Sequence, residues 1–86
     1  WARAKSLDTY APLGPFIHTD LDPDNLPIQT IVNGQVKQNS STREMIFPVA
    51  KLISFLSDAI TLEAGDCIMT GTPPGIGALQ DGDVLE

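Results

Sequence analysis

Cationic side chains are scarce in this chain. Lysine and arginine number 5 against 11 aspartates and glutamates, a formal net charge of −6. The five, Arg3, Lys5, Lys37, Arg43 and Lys51, are dispersed along the sequence. A partner built on a phosphate backbone needs clustered Lys and Arg, so nucleic acid is excluded. Cysteine is scarcer still, with Cys67 alone. No disulfide framework can be built from it. A lone Cys in the apolar run Cys67-Ile68-Met69 is expected to be a buried, reduced thiol of a cytoplasmic protein. No apolar run approaches the ~20 residues of a membrane span, and no stretch has the layout of a secretory signal.

The only histidine, His18, lies among polar loop residues and is expected to be solvated. Asp20, Asp22 and Asp24 alternate with Leu21 and Pro23. An EF-hand loop would need Gly at its sixth position, and counting from Asp20 that place holds Asn25. The run reads as a solvated acidic loop. At 86 residues the chain is one small domain at most, with a modest core. It begins at Trp1 and stops at Val84-Leu85-Glu86, the opening of a strand, so it is expected to be a fragment of a longer protein.

What the chain does have is Thr70-Gly71-Thr72-Pro73-Pro74-Gly75-Ile76-Gly77, placed directly after Cys67-Ile68-Met69. A strand that ends in Thr, Pro and Gly delivers a rigid loop that a ligand can approach closely. It is no P-loop, because no Lys follows these glycines. Nor is it a dinucleotide fingerprint: Gly75 and Gly77 supply the first pair, but Gln80 stands where the third Gly is required.

The remaining elements follow from pattern. Residues 1–6 suggest the end of a strand, and Phe16-Ile17 the start of another. Ile28 to Val32 is β-branched and alternating, hence a strand. Asn33-Gly34 calls for a type I′ hairpin turn, with Gln35 to Gln38 returning as partner. Asn39 to Thr42 reads as a polar loop. Val49, Leu52, Ile53, Leu56 and Ile60 follow helical spacing behind Pro48, predicting one short helix over 48–58. Cys67 to Thr70 and the last residues read as strands. The fold class is a β-rich α+β.

Several short motifs stand in order: Ala4-Lys5-Ser6-Leu7-Asp8-Thr9, Pro12-Leu13-Gly14-Pro15, Val32-Asn33-Gly34-Gln35-Val36-Lys37-Gln38, Met45-Ile46-Phe47, Thr61-Leu62-Glu63-Ala64-Gly65-Asp66, then Thr70-Gly71-Thr72-Pro73 and Gly75-Ile76-Gly77. The ordered set resembles the C-terminal part of the catalytic domain of the fumarylacetoacetate hydrolase family. It is similar to that family's bacterial branch of 2-hydroxyhepta-2,4-diene-1,7-dioate isomerases and oxo-acid decarboxylases. The resemblance implies a mixed β-sheet roll with a short helix packed on it, and residues 1–86 as one C-terminal piece of a catalytic domain. It implies a homodimeric, divalent-metal-dependent enzyme of the catabolism of aromatic compounds. Its substrates would be small 2-oxo or 2-hydroxydienoic dicarboxylates. The implied reaction is isomerisation, tautomerisation or decarboxylation, with C–C hydrolysis third.

By the same resemblance, Lys5 matches an active-site lysine whose ammonium stabilises developing negative charge. Thr72 matches a threonine that meets the substrate carboxylate, and Gly71 permits that approach. Thr9 matches a threonine beside the metal or its bound water. The implied cofactor is Mg²⁺, or Mn²⁺ or Ca²⁺ in its place. The family's Glu-x-Glu pair, later Asp and His–Glu acid/base pair lie upstream of the matched segment. The fragment alone is therefore expected to be inactive. A second class of reading is a catalytically inactive binding or interaction module on the same scaffold, which substituted upstream carboxylates would favour. For Gln38, Ser41 and Thr42, the choice between site and subunit contact stays open.

Overall fold

A computed structural model describes every residue except Trp1 and Ser6. Its centre is an antiparallel hairpin of β1 (Pro27–Val32) and β2 (Gln35–Ser41). Asn33 and Gly34 both have positive φ, 50° and 74°, as a type I′ turn demands. The ladder pairs Val32 with Gln35 and Ile31 with Val36, then jumps to Thr30 with Gln38. Lys37 is the extra residue, a β-bulge one step before Gln38. Beyond it, β2 runs on through Asn39 to Ser41, where the sequence suggested a loop. The hydroxyl of Thr42 closes the ladder's far end, accepting from Leu26 N at 2.8 Å.

On the other side of β1 lies the chain's last segment. Ile31 and Glu86 exchange backbone hydrogen bonds of 2.8 and 2.9 Å, and Val32 bridges Leu85. The expected final strand is thus begun against β1. Its entry is clasped by side chains. Asn33 Nδ2 donates to Asp83 Oδ1 at 2.8 Å, Gln80 N to Asp83 Oδ2 at 2.8 Å, and Val84 N to Asn33 Oδ1 at 3.0 Å.

Helix α2 (Val49–Ser57) fills the predicted span, with Pro48 as its N-cap and Asp58 as its C-cap. Proline offers no side-chain cap. The carboxylate of Asp24 takes that role from a distant loop, accepting from Val49 N at 3.3 Å. Val49, Leu52 and Leu56 are half-buried, whereas Ile53 and Ile60 of the expected stripe are exposed. Lys51 lies 4.8 Å from the centroid of the Phe47 ring, a cation–π contact one turn apart.

Further expectations are corrected. Ala2–Lys5 forms a single helical turn, α1, where a strand end was expected. Ala, Arg and Lys are good helix formers, and among the described residues no strand pairs with them. Thr42–Glu44 adds a 3₁₀ turn. Phe16-Ile17 and Cys67–Thr70 are in no strand, because no neighbouring ladder among the described residues receives their backbone groups. Cys67 is exposed rather than buried. The alternation of an extended chain explains this: Ile68 is half-buried, and its neighbours Cys67 and Met69 point the other way.

The described residues therefore form an α+β arrangement of two antiparallel strands and short helices, and none of them is fully buried. No helix among them is long and apolar enough to cross a membrane.

Two hydrogen bonds, from Gln80 N first and from the Asn33 amide second, hold the Asp83 carboxyl below its ordinary value of 3.8. A group whose folded pKa is depressed stabilises above its unfolded pKa and loses that contribution as pH falls through the folded value. Asp83→Asn should therefore lower stability near neutrality, and the difference from wild type should shrink below pH 3.8. Urea unfolding of both proteins at neutral and acid pH measures it; a difference independent of pH would remove the carboxylate from the clasp.

Candidate active site

The Gly/Pro loop lies across the bulged part of β2. Gly71 and Gly75 have φ of 99° and 109°, values that a side chain resists. A Cβ on Gly75 would collide with the Lys37 carbonyl oxygen, so the loop backbone rests directly on the bulge. Gln38, the next residue, fastens it. Its Nε2 donates to Pro73 O at 2.7 Å and to Thr72 Oγ1 at 2.9 Å, while Thr30 Oγ1 donates to its Oε1 at 2.9 Å.

The loop so held forms one wall of an open cleft of about 410 Å³. Gly71, Thr72 and Pro73 line it together with Ser41, Met45 and Phe47. Ser40, Ser41, Thr42, Thr70 and Thr72 bring hydroxyls, and Glu44 is the one charged residue of the lining. An anion here would meet hydroxyls and no cationic side chain.

The structure thus brings two of the sequence-predicted residues, Gly71 and Thr72, into one cleft. Lys5 ends α1 as an exposed side chain and does not line it. Thr9 lies outside it too, in a turn closed by Tyr10 N to Leu7 O at 3.0 Å. Its φ of 72° is rare for a β-branched residue. His18 is exposed. Of the three residues left open between site and subunit contact, Ser41 and Thr42 line the cleft and Gln38 supports its wall. Gln38 lies within β2, and the bulge at Lys37, which no local pattern marks, sets it opposite Thr30.

For Mg²⁺ or a similar hard cation, three or more acidic or imidazole donors would have to converge. Among the described residues no such group of His, Cys, Asp or Glu is found, so these residues do not by themselves fit the ion.

The family model of the fumarylacetoacetate (FAA) hydrolase C-terminal region matches residues 1–86. This chain belongs to the fumarylacetoacetate hydrolase family. It superposes on the crystal structure of 2-hydroxyhepta-2,4-diene-1,7-dioate isomerase from Mycobacterium marinum with a TM-score of 0.93 and 48% identity, covering 99% of this chain and 34% of that one. It is 42% identical to the mitochondrial oxaloacetate decarboxylase of Dictyostelium discoideum, over 100% of this chain and 40% of that protein. To the mitochondrial oxaloacetate tautomerase FAHD2A of Bos taurus it is 46% identical, over 93% of this chain and 26% of that protein. The chain spans between a quarter and two fifths of the length of these fumarylacetoacetate hydrolase relatives. The family's C-terminal fold is established by the superposition.

The contact of Gly75 with the bulge gives a direct test. Gly75→Ala combines a disfavoured φ with a clash against main chain, and should cost about 2–4 kcal/mol. Urea unfolding of the full-length protein reads this, and an unchanged midpoint would mean that the loop does not rest on Lys37.

Proposed function

We propose that this chain supplies the C-terminal part of an enzyme that isomerises, tautomerises or decarboxylates small 2-oxo or 2-hydroxydienoic dicarboxylates. The observation that carries this reading is the Thr72 hydroxyl, set beside Gly71 in the wall of a cleft, in a chain whose relatives bear the names of such enzymes. The family is commonly divalent-metal dependent.

In this reading the chain's own residues bind and stabilise. The Thr72 hydroxyl donates to a substrate carboxylate, and Gly71, without a Cβ, lets it come close to the backbone. The Lys5 ammonium stabilises the negative charge that grows on the substrate oxygen as an enolate-like state forms. Its support is the Ala4-Lys5-Ser6-Leu7-Asp8-Thr9 motif rather than the cleft. Thr9 is proposed as a contact beside the cofactor, and its left-handed backbone fits a side chain whose direction matters more than local comfort.

The full-length protein should convert enol to keto oxaloacetate, isomerise 2-hydroxyhepta-2,4-diene-1,7-dioate, or release carbon dioxide from oxaloacetate. Absorbance and gas-release assays distinguish these, and the absence of all three would overturn the reading.

A hydrogen bond to a charged group contributes about 1.5–3 kcal/mol. Thr72→Val keeps shape and branching but loses the donor, so KM for a dicarboxylate should rise roughly 10–100-fold at about 1.4 kcal/mol per decade. The melting temperature should fall only slightly, because the Gln38 bond to Thr72 is lost while that to Pro73 O remains. A shifted melting temperature with unaltered KM would reduce the loop to a turn.

Lys5→Met should instead lower kcat by roughly 10²–10³-fold, the scale of losing one preorganised stabilising group. Circular dichroism would show the variant folded. Full kcat in that folded variant refutes the role.

A further inference from the structure

Gln38 touches no lining atom by chance of packing; its carboxamide is fully engaged, and the direction of each bond is fixed by chemistry. Pro73 O is a carbonyl and can only accept, so the group 2.7 Å from it must be the amide nitrogen. That choice puts Oε1 toward Thr30 Oγ1, whose hydroxyl then donates across 2.9 Å. The nitrogen has two hydrogens. One goes to Pro73 O and the other to Thr72 Oγ1, 2.9 Å away.

The consequence falls on Thr72. Its oxygen accepts from Gln38, and an amide nitrogen offers no lone pair in return. The Thr72 hydroxyl proton therefore has no partner on Gln38 and is left to be donated elsewhere. Gln38 itself is half-buried and Thr72 exposed, so the open direction is the solvent side, where the cleft lies. One of its two lone pairs is taken by the Gln38 amide, and its proton, which that amide cannot accept, is available to an acceptor. A carboxylate is an acceptor with no proton to give.

We propose that Gln38 is a positioning residue that presets Thr72 as a hydrogen-bond donor for the substrate carboxylate. The bulge at Lys37 is part of the device, because it bends β2 just before Gln38. Thr30, paired with Gln38 across the ladder, locks the amide against rotation by half a turn. The proposal rests on the reading of Thr72 as the carboxylate-binding residue, and it adds the group that sets that residue's polarity.

The test is a double-mutant cycle in the full-length enzyme, with a dicarboxylate substrate and with melting temperature recorded for each variant. Gln38→Met keeps length and bulk but has neither donor nor acceptor. It should raise KM by roughly 5–30-fold, within the loss expected for Thr72→Val, and leave kcat within about a factor of 3, since only carboxylate binding is weakened. In a Thr72→Val background it should add almost nothing to KM, because the hydroxyl through which it acts is gone. Gln38→Glu should be worse than Gln38→Met: the new carboxylate accepts the Thr72 proton and repels the substrate. Thr30→Val, which removes only the lock on Oε1, gives a milder KM rise and keeps the test alive should the Gln38 variants fail to fold.

If Gln38→Met and Thr72→Val multiply in KM, Gln38 acts independently of Thr72 and the proposal falls. If Thr72→Val raises KM and Gln38→Met does not, the proposal falls alone. If Thr72→Val itself leaves KM unchanged, the reading of Thr72 falls first and takes the proposal with it. A lower melting temperature without any KM change in Gln38→Met and Thr30→Val would assign both to structure.

Discussion

Everything that shapes the cleft wall passes through the contact between the Gly/Pro loop and β2. The loop has no ladder of its own, and two of its residues are prolines without a backbone donor. It is held by the Gln38 carboxamide and by the seating of Gly75 on the Lys37 carbonyl. The two fastenings depend on each other. The bulge turns Lys37 so that its carbonyl meets Gly75, and the same bend delivers Gln38 to Thr72. The hairpin turn at Asn33-Gly34 fixes the register that places the bulge there. A constraint that begins in two residues with positive φ thus ends in the position of a hydroxyl about forty residues further along.

The parts of this that could be read from sequence are those governed by local rules. Asn-Gly between alternating β-branched residues has one common outcome, and the apolar spacing behind Pro48 another. The helix follows that spacing to within a residue at each end, with Pro48 and Asp58 as its caps. Among the segments that misled, Phe16-Ile17 and Cys67–Thr70 share a cause, whereas residues 2–5 follow the helix propensity of Ala, Arg and Lys. Strand formation is settled by a partner, and an apolar β-branched run states only that a partner would be welcome. At Cys67 the error was one of parity: residue type suggested burial, while the neighbouring Ile68 takes the inward face.

The candidate site divides along the same line. Gly71 and Thr72 were visible because close approach to a backbone requires unusual residues in succession. Gln38 was visible only as a polar residue of undecided use, since its partners are fixed by the bulge, and nothing in the local pattern marks Lys37 as the extra residue. Lys5 and Thr9 have a sequence context and no place in the cleft. The cleft's hydroxyls, by contrast, come from the end of β2 and the turn after it, Ser40, Ser41 and Thr42, and from Thr70 and Thr72 of the loop.

The clasp between Asn33 and Asp83 joins residues fifty positions apart, unlike the hairpin beside it, whose strands meet across two. Closing a loop costs entropy that grows only with the logarithm of its length, about 0.6 kcal/mol for each doubling. The clasp therefore bears a larger closure penalty than the turn. Exchange of the Val84 and Glu86 amides with solvent would report the opening of this segment separately from the pairing of β1 with β2.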